Sequence, residues 1–363
     1  MNQDVKIEVK KIKNIFSTLY SRKNIEDENN NNEFISKIRV QNFLSINEIK
    51  ICDVIRTIPY YQNRYNILYI YEPINIGQFN GKILEKLDTT HNTNINTKYL
   101  IFQYKKADYT LFHEFLFQIK TPKSLIFFVT ETYSFLLNSL IELHNNGICF
   151  LDLSYKNIVL SVECREKPIL ARFQNCLKTT SLDEHSISKI IEGVNDYTYK
   201  PLELYVLFYL INNELNTISY SLIEEVCEFY ITSLTVLKIF SLEYQTNFKN
   251  LCINSLKKYL NQPKIIIVND ILKHHSTWPN YSLSLLYLHI VGNMLRVFSC
   301  KNTFINQFVL ILSKNIRPDP TERESLMGTL EKYEKLYYAF NDWSFVNNIS
   351  AEKMELLLKI LAE

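Results

Sequence analysis

The chain predicts an α+β protein, because candidate strands and a single helix fill the part before residue 105 and long apolar helices fill the rest. A hydrophobic share of 47% over 363 residues supplies a substantial core and excludes wholesale disorder. No repeat and no Pro/Ser-rich linker divides the chain, so one bilobal unit is expected. Its parts are a divergent N-terminal segment with a polar loop over 1–33, a small β-rich lobe over 34–103 and a larger helical lobe over 104–363.

The alternation of Val5, Ile7 and Val9 predicts a strand within 5–16, and the run from Asn24 to Glu33 has nothing to pack and predicts an exposed loop. Phe34 to Val40 has strand composition. Ser45-Ile46-Asn47-Glu48 reads as a capping box that opens a helix with Ile49, Cys52, Val54, Ile55 and Ile58 on its apolar side, and Pro59 stops it. Two strands follow, Asn66 to Tyr71 and Tyr99 to Tyr104, around a polar loop that includes Thr89 to Asn96. Beyond them, 125–143 and 222–242 are apolar nearly all round, so both are expected to be enclosed, the second at the centre of a helical bundle.

Composition excludes several functions. A net charge of +2 leaves no electrostatic footprint for nucleic acid. Seven cysteines without a Cys-x-x-Cys pair form neither a disulfide framework nor a zinc site and fit a reducing compartment. The N-terminus lacks the apolar stretch of a secretory signal, and Thr130, Glu131, Thr132, Asn138 and Glu142 interrupt the most membrane-like segment. A cytoplasmic or nuclear protein with no membrane partner is expected. His144 reads as a packing residue, and His274-His275 with Trp278 lacks a third metal ligand.

Three segments carry chemistry. Asp152 is followed five residues later by Asn157, with Leu143-His144 and Gly147-Ile148 before the pair and Ile158-Val159-Leu160 after it. Lys200-Pro201-Leu202-Glu203 and Asp319-Pro320-Thr321-Glu322-Arg323 follow in order. Together these resemble the catalytic loop, the Ala-Pro-Glu and the Asp-Pro-x-x-Arg of protein kinases. The resemblance spans residues 34–335 and is specific in the C-terminal part.

The resemblance implies a bilobal protein-kinase-like fold in which Asp152 is the base, Asn157 a metal ligand, Lys156 a charge near a transferred phosphate, and Glu203 with Arg323 a buried ion pair. It implies Lys37 as the strand lysine, Glu48 as its helix partner, and Gln103 and Tyr104 at the strand that leads to the nucleotide hinge. The departures are equally specific. Phe150-Leu151 replaces His-Arg, so control by a phosphate on the activation segment is not expected. Arg172-Phe173-Gln174 replaces Asp-Phe-Gly, and Asp183, with no Phe-Gly after it, does not substitute. The first of six glycines is Gly77, so no glycine-rich loop precedes Lys37.

A divalent ion needs carboxylate oxygens, and a guanidinium in their place turns attraction into repulsion. ATP is therefore a possible ligand and magnesium an unlikely or weak one. The resemblance accordingly points to a pseudokinase, an interaction or allosteric module with a protein partner and no nucleic acid. The alternative is a divergent Ser/Thr-type kinase that transfers phosphate from ATP to protein with Asp152 as base and Arg172 neutralising charge. A small-molecule phosphotransferase ranks last, because it would keep the metal aspartate.

Overall fold

The computed structural model describes residues 34–74, 98–105, 109–151, 153–161, 167–191, 198–298, 303–340 and 342–362. The strand expected within 5–16, the loops at 24–33 and 89–96, Gly77 and Asp152 lie outside the described residues. The chain divides into two compact units, Met1–Asp108 with Ala171–Gln174, and Tyr109–Leu170 with Asn175–Glu363. The short segment Ala171–Gln174 belongs to the first of these units.

In the first unit, β1 (Phe34–Val40) is followed by α1 (Phe43–Ile55), a two-residue β2 (Tyr65–Asn66), β3 (Leu68–Ile74) and β4 (Tyr99–Lys105). β4 is the middle strand of an antiparallel sheet in the order β1-β4-β3, with Lys37 opposite Phe102 and Arg39 opposite Leu100. Residues two apart share a face, so Lys37 and Arg39 stand together on one side of β1. The α1 cap differs from the one expected. Asn42 is the N-cap: its side chain accepts from the Ser45 amide at 3.0 Å while Ser45 Oγ accepts from the Asn42 amide at 3.0 Å. The helix therefore starts three residues early, and Glu48 becomes a mid-helix residue buried beside Ser45, Ile49 and Cys52.

The second unit begins with β5 (Tyr109–Leu111), α2 (Phe112–Leu116) and α3 (Pro122–Asn145). Thr121 caps α3 through the Ser124 amide at 3.1 Å, and Gly147, at φ 70°, turns the chain out of it in the left-handed region. By length and composition α3 could cross a membrane, but 67% of its most apolar stretch is buried in the unit. β6 (Ile148–Phe150), β7 (Ile158–Ser161), β8 (Pro168–Ala171) and β9 (Cys176–Lys178) follow, with β7 between β5 and β8, and β6 paired to β9. The helices are then α4 (Glu184–Ile191), α5 (Leu202–Asn212), α6 (Tyr220–Ser233), α7 (Leu242–Leu256), α8 (Lys264–Leu272), α9 (Trp278–Val297), α10 (Phe304–Asn315), α11 (Leu326–Ala339) and α12 (Ala351–Ala362).

The expected central helix at 222–242 is corrected by this arrangement. α6 stops at Ser233, a short 3-10 turn spans Thr235–Ile239, and Ser241 caps a new helix. Glu224, Glu225 and Glu228 are exposed on α6, so it is amphipathic and not enclosed. The centre is α9, of whose 20 residues sixteen are buried. Its polar side chains are satisfied internally: Ser282 donates to Tyr199 O at 2.7 Å, Asn280 to Thr329 Oγ1 at 2.8 Å, and Ser284 accepts from Asn315 at 3.0 Å.

Candidate functional site

The catalytic-loop segment is held from both sides by buried apolar residues. Phe150 is 1%, Leu151 2% and Leu153 0% exposed, so the residues that replace His-Arg pack into the core of the second unit. A 3-10 turn over Tyr155–Asn157 follows. Asn157 is buried, and its Oδ1 accepts from Ser154 N at 3.0 Å and from Ser154 Oγ at 3.1 Å. A backbone amide can only donate, which fixes the oxygen of this side chain toward Ser154. The carbonyl expected to meet a metal is thus committed to its own loop.

Lys156 is exposed, with its Nζ 5.7 Å from the centre of the Tyr155 ring. Tyr155 itself meets His113 edge-on at 4.7 Å and, with Phe112, Tyr199 and His289, lines a cavity of about 340 Å³ in the second unit. Asp183 caps α4 by accepting from Ser186 N at 2.7 Å. Among the described residues, no group of three His, Cys, Asp or Glu side chains gathers at metal-binding distance.

The structure brings Glu203 and Arg323 together across 120 residues of sequence. Arg323 Nη1 and Nη2 donate to Glu203 Oε1 and Oε2 at 2.6 and 2.8 Å, with both side chains buried. Trp278 Nε1 also donates to Glu203 Oε1 at 3.1 Å. Arg323 further donates to Arg317 O, Pro318 O and Thr277 Oγ1, and its guanidinium lies 5.0 Å from the Tyr281 ring centre. Burial lowers the arginine's affinity for its proton, but Glu203, with Tyr230 and Tyr281 adding to it, outweighs this and raises its pKa. The pair ties α5 to the Pro320–Glu322 turn and to the start of α9.

In the first unit the candidates converge differently from the expectation. Lys37 is exposed and sits over the Tyr104 ring, 5.4 Å from its centre. The cation beside Glu48 is Arg39, whose Nη1 is 3.7 Å from Glu48 Oε2. Tyr104 donates its hydroxyl to Glu48 Oε1 at 3.1 Å, and Gln103 is half-buried on the same strand. Burial raises the Glu48 pKa; Arg39, Tyr104 and, last, Lys37 pull it back only in part. Desolvation likewise raises the Tyr104 hydroxyl, with the Glu48 charge adding to it.

Ala171–Gln174 completes this cluster. Phe173 is fully buried and meets Tyr65 edge-on at 6.2 Å. Gln174 Oε1 accepts from Arg39 Nη1 at 2.6 Å, and its carbonyl accepts from Asn47 Nδ2 at 3.2 Å. Arg172 is exposed at φ 63°, a left-handed conformation that costs an ordinary side chain free energy. Arg39 and Gln174 are functional candidates that the sequence reading missed. The only signal for Arg39 was its place two residues from Lys37 on the same face of β1.

An arginine stands where the metal carboxylate belongs in the resembled family, and the Asn157 oxygen already accepts two hydrogen bonds. No family model matches the chain, and no curated protein matches it. Among solved structures the chain is similar to a twitchin kinase region from C. elegans, with 11% identity and a TM-score of 0.44. That alignment covers 90% of this chain and 44% of the other, so this chain spans less than half of that structure. So loose a likeness carries nothing about activity.

Proposed function

We propose that this is a kinase-like protein of the pseudokinase type, which acts through a protein partner and holds a nucleotide without magnesium. The observation that carries the reading is Arg172, exposed and left-handed, at the place of the metal carboxylate. The committed Asn157 oxygen supports it, and so does the buried Glu203–Arg323 pair at the positions the kinase resemblance implies. With no glycine before Gly77, backbone amides in a glycine-rich loop are not what meets the phosphates, and side-chain cations take that role.

A thermal-shift titration with ATP tests this, since a ligand that binds only the folded state raises the melting temperature. The expected result is a shift of equal size with magnesium and with a chelator. A shift that requires magnesium, or strong magnesium-dependent transfer abolished by Asp152→Asn, would replace this reading with that of a divergent active kinase.

A further inference from the structure

Glu48 is 1% exposed, and its Oε2 has no hydrogen-bond partner. A buried carboxylate oxygen left in this state demands an explanation, because its desolvation is uncompensated. The explanation lies 3.7 Å away, beyond hydrogen-bond length, in Arg39 Nη1. That nitrogen donates instead to Gln174 Oε1 at 2.6 Å. Gln174 in turn is anchored by its main chain, whose carbonyl accepts from Asn47, the residue before Glu48 on α1. One guanidinium therefore stands between a neutral amide that holds it and an anion that lacks it.

The rest of Arg39 is open. Its side chain is 30% exposed, its guanidinium lies 5.8 Å from the Phe102 ring centre, and Nε and Nη2 make no hydrogen bond among the described residues. A half-buried guanidinium oriented by one strong bond and a ring face, with donors to spare, has the features of a phosphate receptor. Lys37 is a second cation on the same face, exposed and 5.4 Å from the Tyr104 ring centre.

We propose that Gln174 is a positioning residue that draws Arg39 off Glu48 and presents its remaining donors to a phosphate-bearing ligand. The ligand half of this inference rests on the nucleotide reading above; the positioning half does not. Glu48 is the competing position. When the Gln174 amide is removed, Arg39 closes on Glu48 and its donors are lost to the ligand.

Two measurements separate these halves. The first is the titration of Glu48, followed by carboxyl-carbon NMR and assigned with Glu48→Gln. Arg39, Lys37, Tyr104 and Cys52 are the titratable or charged groups that act on it. In Gln174→Ala the apparent pKa of Glu48 falls by about one unit or more as the guanidinium reaches it. An unchanged titration would overturn the positioning role. Gln174→Asn, which keeps the amide but shortens its reach, serves the same purpose if alanine destabilises the unit.

The second is ATP affinity in the presence of a chelator. Arg39→Gln weakens it about tenfold, the loss of one charge-assisted contact, and Lys37→Gln weakens it less. Gln174→Ala also weakens it, and the double variant Gln174→Ala/Glu48→Gln restores it, because Arg39 no longer has an anion to close on. A larger loss for Lys37→Gln, or no recovery in the double variant, would refute the ligand half. Absence of any ATP binding by the wild type would remove the nucleotide reading, while the Glu48 titration still decides the positioning role.

Discussion

Arg323 is a residue whose removal leaves several groups stranded at once. Glu203 would stay buried without its cation, and Arg317 O, Pro318 O and Thr277 Oγ1 would each lose a donor. Breaking a buried pair from one side costs about 3–5 kcal/mol, so Arg323→Ala is expected to lower the urea midpoint by that equivalent. Arg323→Lys recovers little of it, since an ammonium cannot make the two-pronged bond and reach the carbonyls together. Glu48 makes the opposite kind of claim. Its raised pKa means that, from the ordinary 4.5 up to the raised value, the folded protein keeps a proton the unfolded chain has released. Stability therefore falls as pH rises through that window. In Glu48→Gln this falling component is absent. Comparison with the wild-type curve isolates it from His144, His274 and His289, whose pKa values burial lowers and whose contributions rise with pH.

Helix packing supplies a test of its own at Gly292. A Cβ on this residue would overlap the side chain of Ile239, where α9 presses on the Thr235–Ile239 turn. Gly292→Ala is expected to cost about 1–3 kcal/mol by overpacking, and Ile239→Ala in the same chain to relieve part of that cost, both read from denaturation midpoints. β1 was legible because its apolar composition is local, and it spans Phe34–Val40 as read. The start of α1 was not, since Asn42-x-x-Ser45 and Ser45-x-x-Glu48 both satisfy the capping pattern, and only the burial of Glu48 against the sheet decides between them. α9 hid its central position behind Asn280, Ser282 and Ser284, polar residues that look like a wet face until their partners on α10, α11 and the chain before α5 are seen. In α6 the apolar count masked a stripe of three glutamates. The Glu203–Arg323 pair was legible because its two motifs imply one another. Arg39 with Gln174 was not, because 135 residues separate them and neither lies in a motif that demands the other.

For the molecule as a whole, the proposed function turns on the sign of the charge that meets a phosphate. Three cations, Lys37, Arg39 and Arg172, lie in the first unit, while the loop of the second unit spends its Asn157 oxygen on Ser154. Arg172→Asp inverts one of those charges. Unit charges 4 Å apart in water interact by about 1 kcal/mol, so the reversal at an exposed position is worth about 2 kcal/mol, roughly thirtyfold in affinity. ATP binding measured by calorimetry with a chelator should weaken by about that factor. Magnesium should then restore part of the loss in the variant while leaving the wild type unchanged, because the new carboxylate supplies the anionic oxygen that a divalent ion needs. A wild type whose ATP affinity rises with magnesium would overturn the metal-free reading, since Arg172 offers the ion no oxygen.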